Sequence, residues 1–141
     1  MADLCRRGGG RRESGAFLLG SMAGGIRRVD SWVPYDELDP GALKAGYVRL
    51  GTAAFTRLWA TCAEAGKVVV ADVHTHPGRP RQSISDRTNP MISQAGHFAL
   101  IVPRYARGRV VPQDLSVNIY LGDKQWESFF ELDAQARIQL M

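Results

Sequence analysis

Apolar positions fall in short runs bounded by Gly, Pro and charged residues, and each run carries a period that selects an element. Glu13 to Ser21 (ESGAFLLGS) passes from a charge into a Gly-flanked apolar run, as a buried strand does. Ile26 to Val33 alternates imperfectly and reads as its hairpin partner across Ala23-Gly24-Gly25. Asp36 to Gly41 reads as a loop, and Tyr47 to Leu50 as a brief strand. Thr52 looks like an N-cap, after which Phe55, Leu58, Trp59 and Cys62 share one helical face and Gly66 provides the stop. That aromatic stripe reads as core packing.

Lys67 to His76 is a nearly continuous apolar run with β-branched residues, the pattern of a central strand covered on both faces. Ser83 to Thr88 starts a short helix that Asn89-Pro90 stops early. His97 to Val102 forms another buried strand, closed by Pro103. Leu115 to Leu121 and Gln125 to Phe130 flank Gly122-Asp123-Lys124 as a hairpin, and the last ten residues are helix or tail. Nothing repeats internally. The pattern predicts an α/β fold: a single mixed β-sheet domain over residues 13–141 with a helix packed against it.

At 141 residues and 45% apolar composition the chain can bury an ordinary core without staples. The net charge of +4 changes this picture little, because Arg6, Arg7, Arg11 and Arg12 supply it from the first twelve residues. Beyond residue 12, 14 basic side chains meet 13 acidic ones, so the body is nearly neutral and nucleic-acid binding is disfavoured. Residues 1–12, rich in Gly and Arg, read as a disordered tail. Cys5 and Cys62 make no disulfide framework, the N-terminus lacks a signal-peptide apolar core, and no apolar run reaches the roughly 18 residues of a membrane span. These features lead us to expect a soluble, cytoplasmic protein.

The candidate chemistry lies in VHTHPGRPRQSISD, residues 73–86. Alternate side chains on a strand share a face, so His74 and His76 sit roughly 6–7 Å apart along it, close enough to converge on one ion. Pro77 ends the strand, and Asp86 follows ten residues after His76. Two imidazoles and a carboxylate leave a fourth position open, as in a catalytic zinc site rather than a closed structural one. Ser83 and Asp86 also read as an N-cap with an acidic N3 residue, a helix start that aims the carboxylate. Asp72 shares the strand face of the histidines, as a ligand or as an acceptor for an imidazole N–H. His97 reads as a hydrogen-bonded structural histidine, and Trp126 and Tyr120 as core residues that could line a groove.

HTHPGRPRQSISD resembles the JAMM motif of the MPN+ (Mov34/PAD-1, or JAB) metallopeptidases: His-x-His-Pro, a loop, then Ser-x-x-Asp. ESGAFLLG resembles the Glu-led strand that precedes it in that family, and the likeness runs from Glu13 to about Phe130. The resemblance implies an MPN/JAB fold, a cytidine deaminase-like arrangement. It implies zinc held by His74, His76 and Asp86, Glu13 as general base, and Ser83 as hydrogen-bond donor to the oxyanion. The implied activity is hydrolysis of a peptide or isopeptide bond, after the C-terminal tail of a ubiquitin-like modifier. A non-catalytic MPN-type interaction module is the alternative. Two departures stand out: the loop from Pro77 to Ser83 holds five residues, one fewer than usual, with Ser85 as a second candidate hydroxyl, and the helix before the Glu strand is missing or reduced to the Gly/Arg tail.

Overall fold

In the computed structural model, which describes residues 1–141, Ala2–Arg7 forms helix α1, Gly15–Ala23 strand β1 and Ile26–Pro34 strand β2. Tyr35–Leu38 forms α2, Thr52–Ala65 α3, Val68–Thr75 β3, Ile84–Thr88 α4 and Phe98–Val102 β4. Ser116–Gly122 forms β5, Gln125–Phe129 β6 and Glu131–Gln135 α5. The six strands make one sheet in the order β2-β1-β3-β4-β5-β6, with β3 and β4 parallel and every other neighbouring pair antiparallel. The result is a single mixed α/β domain. No helix is long and apolar enough to cross a membrane.

Alternation along the strands builds a core on each face of the sheet. Phe17 and Leu19 of β1 pack with Tyr35 and Leu38 of α2 and with Ala54, Leu58 and Cys62 of α3. Ala16 and Val73 point the other way, toward Leu4, Val102, Ala106 and Leu115. The central β3 is therefore covered on both sides, which is why its sequence reads as an apolar run rather than an alternating one.

The principal difference from the sequence reading lies at the N-terminus. Residues 1–12 were expected as a disordered tail, yet Ala2–Arg7 is a helix whose Leu4 is 1% exposed within the second core. Arg7 fixes it further, bonding Asp3 Oδ2 at 2.7 Å, Asp36 at 3.0 Å and Glu37 at 2.6 Å. One buried leucine and a multiply paired arginine outweigh the polar composition of the segment, and the pairings to Asp36 and Glu37 are invisible in local sequence.

Smaller corrections have local causes. β1 starts at Gly15, leaving Glu13 two residues ahead of it. The segment from Asp36 opens as helix α2 rather than loop, and Tyr47 to Leu50 pairs with no strand. In α3 the N-cap is Gly51 rather than Thr52, and Trp59 is 49% exposed, so the buried stripe is Ala54, Leu58 and Cys62. Gly66 ends α3 in the left-handed conformation, φ 64°, as the stop signal required. The β5–β6 turn places Asp123 and Lys124 at φ 50° and 60°, the two positive values of a tight hairpin turn.

Candidate metal centre

β3 delivers His74 to the carboxyl end of the sheet, and the chain just beyond it delivers His76. The His76 backbone is held from both sides, its N–H donating to Val102 O at 2.9 Å and its carbonyl accepting from Tyr105 N at 2.8 Å. Both residues are 7% exposed, and their Nε2 atoms face each other at 3.0 Å.

Asp86 arrives from α4. Ser83 is the N-cap: its Oγ accepts from Asp86 N at 3.1 Å, while Asp86 Oδ2 accepts from Ser83 N at 2.6 Å, a reciprocal pair that fixes the carboxylate at the first turn. Asp86 Oδ1 then lies 3.5 Å from His74 Nε2 and Oδ2 lies 3.2 Å from His76 Nε2. The cap role of Ser83 uses its oxygen as acceptor, so its O–H proton stays free to donate.

Glu13, just before β1, comes to 3.9 Å from His76 Nε2 through Oε1. Its neighbour Ser14 locks this entry: Ser14 N donates to Thr75 Oγ1 at 3.0 Å, Thr75 N donates to Ser14 O at 2.8 Å, and Ser14 Oγ donates to Leu4 O at 2.6 Å. The ordered N-terminal helix thus stands directly behind the segment that carries Glu13. Gly15 is paired with His74, and a Cβ there would meet the Tyr35 ring at 2.4 Å, Val73 O at 2.4 Å and His74 Cβ at 2.9 Å. Only glycine permits that approach.

Beneath the histidines lies a buried polar group. Asp72, 1% exposed, receives His97 Nε2 at Oδ1 over 2.6 Å and the Tyr35 hydroxyl at Oδ2 over 3.3 Å. His74 Nδ1 is buried without a hydrogen-bond partner, and the acceptor facing it is Asp72 Oδ2 at 3.9 Å. Asp72 is therefore behind His74 rather than beside the converging ligand atoms. His97 falls in the hydrogen-bonded role expected of it, while Tyr35 sits in a stretch whose sequence carried no sign of it.

The electrostatics follow from this packing. Burial opposes charge on His74, but the carboxylates of Asp72 and Asp86 outweigh it and raise the pKa to about 10. Burial likewise opposes ionisation of Asp86, yet the two histidines hold its carboxyl well below the usual range. For Glu13 burial dominates over the pull of His76 and His74, and the carboxyl titrates above its ordinary value.

The ligand atoms of His74, His76 and Asp86 all lie within 4.8 Å of one another. A tetrahedral ion about 2.0–2.1 Å from each donor sets neighbouring donors roughly 3.3 Å apart. The separations of 3.0, 3.2 and 3.5 Å match that spacing, so this buried His-His-Asp group can hold a metal ion. His74 and Asp86 line a cleft of about 730 Å³ together with Glu13, Ser83, Ser85, Phe55, Met91 and Trp126 among others. Ser83 and Ser85 both reach the cleft, and the Ser83 backbone N–H bonds the ligand carboxylate.

No family model matches the sequence. In fold, the chain is similar to the solution structure of a protein from Desulfitobacterium hafniense, with TM-score 0.62 and 18% identity over 92% of this chain and 84% of that one. It is also similar to the solution structure of a protein from Salinibacter ruber, with TM-score 0.56 and 22% identity over 85% of this chain and 74% of that one. At these identities the likeness concerns the fold alone. Fold and site together define a mixed α/β domain with a candidate metal centre at the carboxyl end of its central strand.

Proposed function

We propose that this chain is a zinc-dependent metallopeptidase of the JAMM (MPN+) type with an MPN/JAB fold, hydrolysing a peptide or isopeptide bond after the tail of a ubiquitin-like modifier. The observation that carries this reading is the convergence of His74, His76 and Asp86 at metal-ligand spacing with Glu13 3.9 Å from His76 at the same cleft. Three N/N/O donors with an open side suit catalytic zinc better than a structural ion.

His74, His76 and Asp86 would hold the zinc, which would supply Lewis acidity toward a carbonyl and a water nucleophilic near neutral pH. The chain supplies the rest. Glu13, with its carboxyl raised by burial, takes the proton from the attacking water as oxygen bonds to the carbonyl carbon. It returns that proton to the nitrogen as the C–N bond breaks, leaving a carboxylic acid and an amine. Ser83 directs its free O–H toward the oxygen that gathers negative charge. The Asp72 carboxylate, held by His97, faces the second ring nitrogen of His74 at 3.9 Å.

Cleavage of ubiquitin-like fusions with and without a chelator, alongside metal analysis, tests the reading. Glu13→Gln abolishes cleavage while about one equivalent of zinc remains. Unchanged cleavage by that variant removes Glu13 from the mechanism. A wild-type protein that takes up no zinc would instead favour a non-catalytic MPN-type interaction module.

A further inference from the structure

Asp86 is the one candidate ligand that lies neither on β3 nor directly after it, so something must fix where its helix sits. α4 has five residues and none of them is buried. Most of its hydrogen bonds are local: the Ser83–Asp86 box, Thr88 Oγ1 to Ile84 O and Ser85 O, and Asn89 Nδ2 to Ser85 O. Such bonds shape the turn but cannot locate it relative to β3. A helix this short is also marginal without an external hold.

Apart from the Asp86 carboxylate, one hydrogen bond leaves residues 83–89: Trp126 Nε1 donates to Arg87 O at 3.1 Å, across 39 positions of sequence. Trp126 is well placed to act as a fixed post. It lies on β6 directly opposite Tyr120 of β5, and the two rings pack at 4.9 Å. Tyr120 is 6% exposed, and its hydroxyl accepts from Lys124 N at 3.2 Å, which ties the turn of the same hairpin. The indole also borders the cleft that holds Asp86 and His74.

We infer that Trp126 is a positioning residue for the metal centre, its indole N–H anchoring the Arg87 carbonyl and so holding Asp86 against His74 and His76. This rests on the metal-site reading given above and adds a residue from the far end of the chain to it. Trp126 touches neither metal nor reacting atoms in this role. It sets the distance over which the Asp86 carboxylate must reach, and loosening it makes the site spend binding energy on ordering α4.

The test is zinc affinity, measured by competition with a chromophoric chelator on the full chain. Trp126→Phe, which keeps a ring but lacks the N–H, weakens zinc binding about tenfold, in the range found for residues that orient ligands. Replacement of Trp126 by 3-benzothienylalanine, which matches indole in shape but has no N–H donor, gives the same loss with native packing kept, so misfolding is not the cause. In an Asp86→Ala background, Trp126→Phe has no further effect on the residual affinity, because the ligand it positions is gone. Wild-type affinity in the benzothienylalanine protein overturns the inference while leaving the metal centre standing. Equal losses with and without Asp86 overturn it too, reducing Trp126 to general packing. A wild-type chain that binds no zinc refutes the metal-site reading itself, and the inference with it.

Discussion

Asp72 and His97 meet at 2.6 Å in the interior, and Asp72 lies two residues before His74 on the same strand. Metal-binding histidines ordinarily donate their second ring N–H to a carboxylate, carbonyl or water, which fixes the ring and strengthens the ligand. Asp72, gripped by His97 and Tyr35, is placed for that task. Asp72→Asn should lower zinc affinity about 10- to 100-fold with the fold intact, as read by chelator competition alongside circular dichroism. Unaltered affinity would show that Asp72 serves only the packing of β3 and β4.

Gly15 stands where β1 passes closest to Tyr35, Val73 and His74. A methyl group there meets backbone at 2.4 Å as well as side chain, so the strand itself must move. Gly15→Ala is expected to cost about 1–3 kcal/mol in urea unfolding, typical of overpacking, and to lower zinc content by displacing His74.

Tyr35 is fully buried beside Asp72, and burial followed by that negative charge raises its phenol well above the ordinary value. The sign follows from proton counting. Between the unfolded pKa near 10 and the higher folded one, the unfolded chain has released the proton and the native chain still holds it. Stability is complete below about pH 10 and falls by about 1.4 kcal/mol per pH unit above it. Denaturant titrations from pH 9 to 11 should show this slope, and Tyr35→Phe should lack its share of it.

Leu4 gives the N-terminal helix its only buried side chain. Leu4→Ala should destabilise the domain by about 2–5 kcal/mol, measured by urea unfolding, as truncation of a fully buried leucine does. Since Ser14 Oγ bonds the Leu4 carbonyl, removal of residues 2–12 should also slow any cleavage that depends on Glu13. Full stability and full turnover after that deletion would restore the picture of a free tail.

The six strands of the sheet, the helix ended by Gly66, the β5–β6 turn and the His74, His76 and Asp86 set could all be read from local sequence. Each follows from a short-range rule: side-chain period, left-handed glycine, or the reach of alternate residues on a strand. The Ser83 cap was legible for the same reason, since its partner lies three residues away. What local reading missed depends on long-range pairing. Arg7 finds Asp36 and Glu37 some 30 residues on, Tyr35 finds Asp72, and Trp126 finds Arg87.

The sequence by itself therefore determined which groups could bind an ion and where strands would run, because backbone geometry places neighbours without help from the rest of the molecule. The tertiary structure decided that the basic N-terminus is a packed helix, that Glu13 stands beside His76, that Asp72 of the central strand lies behind His74, and that Trp126 of the edge strand bonds the Arg87 carbonyl. Those outcomes come from strand order and from burial shared between distant segments, and a single buried leucine or one shielded carboxylate is enough to set them.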